Sequence, residues 1–422
     1  MFTPLPSRLR PAGLPADAGA GRAETAGPLG RTVAPRAWWS VAYAVFVIAW
    51  GGNEFTPLLV MYKRDGLSAA TVDLMLFEYV LGIVPAMLIG GPLSDRYGRR
   101  LLMCPAPIVA AAGSMLLACG EHVATLSAGR VLSGVALGLA MAVGGSWLKE
   151  LSQPPYAVAT APGTGARRQA MSLTGGFGLG AAVAGSIAQW GPWPGTLPYL
   201  INSGLCVAAA ASLLATPDTV TRDAGSGRLL DDLKIPAVGH RRFRRVVLPV
   251  AVWLFACSAG AYAILPTLML GHAGRAPIAF SALVCVVTLG CGFGIQSVVR
   301  RLDRPGTVRL PLLALTLVVA GMLAAILAAD ILTVWATLLA AALLGTGYGA
   351  GLVAGLQEIE RIARPDDLAG LNAVFYAVSY SGFALPFVMA LVHSGTGAAY
   401  PVMFTILAAA AAACLMLVAR AR

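Results

Sequence analysis

Twelve long apolar stretches, separated by short polar joints, recur between residues 38 and 419 and constrain this chain more than any other feature. They cover 38–62, 69–93, 101–119, 124–147, 170–190 and 196–216, then 246–270, 278–299, 308–329, 332–356, 368–392 and 399–419. A helical crossing of a bilayer takes roughly 20 apolar residues, a length these stretches reach. Lipid offers the backbone no hydrogen-bonding partners, so only α-helices and closed barrels span it. Barrel strands alternate over about ten residues, and these runs are too long and too evenly apolar for that. The sequence predicts an all-α membrane protein. Its 58% hydrophobic and 12% charged residues exclude a cytosolic globular enzyme.

The positive charges give an orientation. Of the 30 Lys and Arg, 26 fall in the first 36 residues, in every second joint, in the 217–245 segment and at the C-terminus. The other joints hold Lys63, Arg64 and Arg275, and Arg130 lies inside a predicted helix. Cytoplasmic loops concentrate Lys and Arg, so both termini and 217–245 are expected in the cytoplasm. The net charge of +11 then follows from topology, and no nucleic-acid partner is needed to explain it. Trp38, Trp39 and Tyr62 bracket the first helix as interfacial anchors do. Residues 1–37 are rich in Ala, Pro, Gly and Arg and lack the apolar region of a secretory signal. They read as a disordered cytoplasmic tail. The seven cysteines sit inside apolar runs without a CxxC pair, and read as small buried hydrophobes.

The 217–245 segment is a natural boundary between two six-helix halves, 38–216 and 246–420. Internal similarity supports a duplication. Asp95-Arg96-Tyr97-Gly98 recurs as Asp303-Arg304-Pro305-Gly306, an offset of 208, and Gly51 and Pro57 recur as Gly260 and Pro266, an offset of 209.

The joint after the second helix reads Gly90-Gly91-Pro92-Leu93-Ser94-Asp95-Arg96-Tyr97-Gly98-Arg99-Arg100. Glycines permit a sharp turn there, and Asp95 can pair with a nearby Arg or cap a helix N-terminus. Such a contact, made in one conformation and broken in another, would latch this end of a moving bundle, with Gly91, Asp95, Arg96, Gly98 and Arg99 as its members. This stretch resembles the loop 2–3 signature of the major facilitator superfamily, Gly-x-Leu-x-Asp-Arg-x-Gly-Arg-Arg, beginning at Gly91. Arg130 and Gly134 match that family's helix 4 pattern. The resemblance covers residues 38–420 and points to its twelve-helix drug/metabolite:proton antiporter-like branch. It implies alternating access, in which two halves rock about a central solute site, often driven by protons. Gly176-Phe177-Gly178-Leu179-Gly180-Ala181 resembles the glycine-rich motif of the family's exporters, with Ala181 where the motif expects Pro.

Ionisable groups at membrane depth are costly and usually functional. From the helix midpoints at 1.5 Å per residue, Glu54, Glu78 and Arg130 lie about 6, 5 and 9 Å toward the outer side, one depth band. One guanidinium cannot neutralise two carboxylates. One carboxylate is then left to carry a proton, either moving in the transport cycle or held permanently beside a static Arg–Glu pair. Glu54 is the expected proton carrier and Glu78 the expected partner of Arg130, with reversed roles as the close alternative. Asn53, Glu54 and Thr56, on a helix loosened by Gly51, Gly52 and Pro57, are the expected solute contacts. Asp73 and Asp330 read as interfacial, and Glu358 and Glu360 as solvated.

Gly345–Gly351 lacks the strand that a dinucleotide fingerprint requires and reads as close helix packing. The histidines show no metal-ligand spacing, and neither a GxSxG, an HExxH nor a GxxxxGK[ST] motif occurs. No cofactor or metal is implied. An intramembrane enzyme lacks its constellation here, and a receptor lacks its domain. The expected function is secondary active transport of a small organic solute across the plasma membrane by a monomer, with proton-coupled efflux ahead of a proton-coupled uptake symporter or a uniporter.

Overall fold

The structure, a computed structural model, describes residues 37–120, 122–157, 161, 163–220, 236–304, 306–364 and 368–421. The expected tail lies outside these residues apart from Ala37, and so does 221–235 of the segment between the two expected halves.

Every regular element among the described residues is helical. In chain order they are α1 (Trp38–Arg64), α2 (Ala69–Tyr97), α3 (Arg99–Ala118), α4 (Val123–Leu151), α5 (Thr164–Trp190), the shorter α6 (Leu197–Leu213), α7 (Phe243–Leu268), α8 (Pro277–Arg301), α9 (Arg309–Ile331), α10 (Val334–Ile362), α11 (Gly370–Thr396) and α12 (Tyr400–Ala419). Eleven of them are long and apolar enough to cross a membrane; α6, with 17 residues, is apolar but shorter. Local chemistry sets several starts. Ser68 caps α2 by accepting from the Thr71 N–H at 3.1 Å. Proline occupies the first turn of α6, α8 and α12, where its missing N–H costs nothing.

Several helices outrun their apolar stretches, α4, α5 and α10 with polar ends. α4 continues to Leu151, α5 begins at Thr164 and α10 continues to Ile362. Their polar ends stay helical because the side chains there find partners on neighbouring elements. The joint expected at 94–100 shrinks to Gly98, whose φ of +100° suits glycine.

Packing relies on close backbone approach. A Cβ at Gly82 of α2 would stand 2.6 Å from Val135 N and 2.9 Å from Gly134 C of α4, so these helices cross almost backbone to backbone. Gly176 and Gly180 of α5 lie likewise against the backbone of Phe46 and Trp50 on α1. Outward faces stay apolar, as at Leu81, Leu323 and Ile406, and Trp190, Trp193 and Trp335 are exposed near helix ends.

Regular winding breaks at mid-depth. α4 contains a π-helical turn at Ala140–Gly144, α7 another at Gly260–Ile264, and α11 a 3₁₀ turn at Ser381–Ala384. Such irregularities are frequent at functional sites, and these place Met141, Tyr262 and Phe383 in the middle of the bundle.

Candidate functional site

Arg130 of α4 is fully buried. Its guanidinium lies between two rings, 4.6 Å from the centroid of Phe55 and 4.3 Å from that of Tyr79. Two carbonyls approach it at 3.4 Å, Met75 O from Nε and Gly52 O from Nη1. Nη2 has no partner. Among the described residues no carboxylate forms an ion pair with it, so the rings and carbonyls carry the cation alone.

Glu54 of α1 is also fully buried and faces α3 and α6. It stands at the end of a chain of hydrogen bonds. Asn202 Nδ2 donates to Val47 O at 2.9 Å, which turns Oδ1 toward Ser114 Oγ at 2.8 Å. An amide oxygen only accepts, so Ser114 is the donor in that contact. Ser114 Oγ lies 3.2 Å from Glu54 Oε1 as well. The one serine hydroxyl thus stands between two acceptors, and a proton on Glu54 would let Ser114 serve Asn202 alone, completing a chain from Glu54 through Ser114 and Asn202 to Val47 O. Glu54 Oε2 has no partner, which a neutral acid tolerates far better than a carboxylate.

A shared depth does not bring Glu78 to Arg130. Glu78 lies on the stripe of α2 that also holds Leu81, Pro85 and Ile89, all exposed, at the outer margin of the bundle. It is half-buried, makes no ion pair among the described residues, and its Oε2 is unpartnered. The expected Glu78–Arg130 pair is absent because the helical period turns residue 78 away from Met75 and Tyr79, which face α4. Asn53 and Thr56 point inward and are engaged: Asn53 Nδ2 donates to Phe177 O at 3.0 Å and to Cys285 Sγ at 3.2 Å, and Thr56 donates to Asn53 Oδ1 at 2.7 Å.

These residues border a cavity of about 30 Å³. One wall holds Gly52, Asn53, Thr56, Tyr79 and Arg130; the facing wall is aromatic, with Phe255, Tyr262, Tyr348, Tyr380 and Phe383. Glu54 does not line it.

Toward one end of the bundle, Arg99 is buried and joins three elements. It pairs with Asp95 at the end of α2, binds Ser94 Oγ at 2.6 Å, and holds Glu150 of α4 at 2.8 Å. Asp95 itself is 62% exposed. The helix cap comes from elsewhere: Asp218 accepts from the backbone N–H of Arg99 at 3.0 Å, and its carboxylate occupies the place of a Gly98 side chain. Arg96 is half-buried at the end of α2, and nothing approaches Gly91 within 4 Å of a Cβ built there. A second network sits at the duplicated positions. Glu358 bonds Arg242 at 2.5 Å and Arg361 at 2.6 Å, and Arg361 pairs with Asp303. Glu358 stands 208 residues after Glu150 and Asp303 stands 208 after Asp95, the same offset. The expectation of a solvated Glu358 is corrected: it is 1% exposed, because α10 runs on past it and two arginines cover it. At the opposite end Asp73, expected at the interface, is buried in a 2.7 Å pair with Lys63, which also donates to Thr267 of α7 at 3.0 Å.

The family model described as Major Facilitator Superfamily matches residues 40–386. The chain belongs to the Major Facilitator Superfamily. Superfamily members are transporters rather than enzymes, and this chain is a multi-pass membrane protein of that superfamily. It is 30% identical over 99 residues to the glucose transporter GlcP of Staphylococcus epidermidis, a match covering 24% of this chain and 22% of that protein. It is 27% identical over 100 residues to the quinolone resistance protein NorA of Staphylococcus aureus, covering 24% and 26%. The matches thus span about a quarter of each relative's length. In fold, the chain is similar to the nucleoside transporter NupG, with a TM-score of 0.70 at 11% identity over 91% of this chain and 99% of that one. A D-xylose–proton symporter gives 0.67 at 15% identity over 90% and 96%.

Within this superfamily frame, sequence reasoning missed the partners that define the site. Ser114 and Asn202 carried no signal beyond being polar inside apolar runs. The aromatic wall did carry one: Tyr376, Tyr380 and Phe383 recur at helical spacing on α11, as do Phe255 and Tyr262 on α7.

Proposed function

We propose that this chain is a twelve-helix secondary transporter of two halves, 38–216 and 246–420, joined by a cytoplasmic 217–245 segment. It carries a small organic solute across the plasma membrane by alternating access, as a monomer with both termini in the cytoplasm, and couples that movement to protons. One observation carries the coupling: a fully buried acid, Glu54, whose hydrogen-bond chain has room for a proton, near a buried guanidinium, Arg130, that has no ion-pair partner among the described residues. When Glu54 releases its proton, its carboxylate becomes the counter-charge Arg130 lacks, so protonation changes the balance at mid-bundle. Glu78 stands apart from this exchange. The Asp95–Arg99 cluster, with Gly91, Arg96 and Gly98, is the proposed cytoplasmic latch; the contacts of Arg99 to α2 and α4 support it.

Efflux is the direction supported by the glycine-rich stretch of α5 and by the likeness to a protein named for quinolone resistance. A second reading, uptake by proton symport, is favoured by the lining of the cavity with Arg130 rather than Glu54. An anionic solute can serve as the counter-charge of Arg130 while Glu54 is protonated, so solute and proton reinforce each other. Proteoliposome counterflow of labelled organic acids, amines and sugars, with and without a pH gradient, tests the reading. Glu54→Gln is expected to keep downhill exchange and lose gradient-driven accumulation. Accumulation at the wild-type level in Glu54→Gln overturns the coupling.

A further inference from the structure

The cavity is cationic on one wall and aromatic on the other. Arg130 is the only Asp, Glu, Lys, Arg or His among its described lining residues, and its Nη2 is unpartnered. Tyr79, 4% exposed and with its ring under the guanidinium, carries a hydroxyl that also has no partner among the described residues. Gly52 leaves room for that hydroxyl: a Cβ at residue 52 would collide with Tyr79 Oη and stand 3.2 Å from Cζ. On the facing wall Phe255 stacks on Tyr380 at 4.2 Å between centroids and on Phe383 at 5.0 Å, with Tyr348 at 5.7 Å.

A buried guanidinium without a counter-ion is costly, and its planar donors match the two oxygens of a carboxylate. A solute ammonium in the same place would meet a like charge. Flat rings prefer stacked partners, which the opposite wall supplies. We propose that the transported solute is an aromatic carboxylate, its oxygens on Arg130 Nη2 and Tyr79 Oη and its ring in the stack of Phe255, Tyr380 and Phe383. At about 30 Å³ the cavity is far below the roughly 300–1,000 Å³ of occupied ligand pockets. The aromatic stack therefore closes on itself in this conformation and parts to admit the solute ring. The inference rests on the transporter reading and selects co-movement of solute and proton, because the solute anion replaces Glu54 as the counter-charge of Arg130.

The test is binding to the purified full-length protein in lipid nanodiscs, followed by calorimetry. Four probes separate the terms: 2-naphthoate, 2-naphthamide, cyclohexanecarboxylate and benzyltrimethylammonium. Naphthoate is expected to bind about tenfold or more tightly than the amide and the cation, as a charge-assisted contact requires, and severalfold more tightly than cyclohexanecarboxylate. Arg130→Lys loses the planar fork and weakens naphthoate about tenfold, and Gly52→Ala weakens it by displacing Tyr79. Among the described residues, the titratable groups near Glu54 are Arg130, Tyr62, Tyr199 and Cys206. Naphthoate stays ionised at neutral pH, so its wild-type affinity is expected to fall as pH rises and Glu54 ionises, and to stay flat in Glu54→Gln. Equal binding of the amide or the cation, wild-type naphthoate affinity in a monodisperse Arg130→Lys, or binding of none of the four overturns the proposal. Counterflow of some other solute under that result leaves the transporter reading standing. Naphthoate binding without movement of any solute overturns the transporter reading instead.

Discussion

Gly82→Ala probes the crossing that positions the site. The new methyl would collide with Val131 O and stand 2.6 Å from Val135 N, and ordinary contact begins at 3.4 Å, so α2 and α4 must part by more than the roughly 0.8 Å that the Val135 contact alone demands. Backbone atoms form the obstacle, so no side chain can turn aside. Overpacking of this kind costs roughly 1–3 kcal/mol, offset by about 0.8–1 kcal/mol of helix propensity gained on replacing glycine. The same displacement stretches the contact of Arg130 Nε with Met75 O, already 3.4 Å long, beyond hydrogen-bonding range. Thermal unfolding in detergent, followed by tryptophan fluorescence, should give a lower midpoint for Gly82→Ala. Gly178→Ala in α5, with nothing within 4 Å of the added carbon, serves as the control and should match or slightly exceed wild type. A wild-type midpoint for Gly82→Ala, or an equal loss in Gly178→Ala, refutes the close-crossing argument.

Arg99→Ala should destabilise the protein more than Asp95→Asn, because Arg99 also holds Ser94 and Glu150 whereas Asp95 is largely exposed; the midpoints of the two variants decide it. Asp95→Asn should still insert into membranes but transport far more slowly, and wild-type counterflow in that variant sinks the latch. Lys63→Met strands the buried Asp73 and should cost on the order of 3–5 kcal/mol, much of it recovered in Lys63→Met/Asp73→Asn; a double variant no more stable than the single one would contradict this.

The helices were legible because a bilayer imposes both their length and their apolarity: eleven of the expected stretches correspond to helices long enough to cross, and 196–216 to the shorter α6. Their ends were not. Residues such as Glu150 and Glu358 are too polar to read as membrane helix, and their helical state depends on arginines more than 50 residues away in the chain. Depth along a helix was readable from residue number, and it brought Glu54, Glu78 and Arg130 to one level. Azimuth was not, since the angle at which α2 meets α4 is set by the contact of Gly82 with Gly134. That angle turns Glu78 away from Arg130 and Tyr79 onto it. The partners of Glu54 were hidden for a related reason: Ser114 and Asn202 lie 60 and 148 positions away, and isolated polar residues in apolar helices do not announce which neighbour they face.

Proton movement on solute addition tests the central claim most directly. Lightly buffered proteoliposomes carrying a pH-sensitive dye should show proton movement across the membrane when a transported solute is added outside, with solute and proton moving in the same direction for an aromatic carboxylate. Glu54→Gln should abolish that proton signal while labelled solute still exchanges. An undiminished proton signal in Glu54→Gln, with reconstitution equal to wild type, would contradict the account.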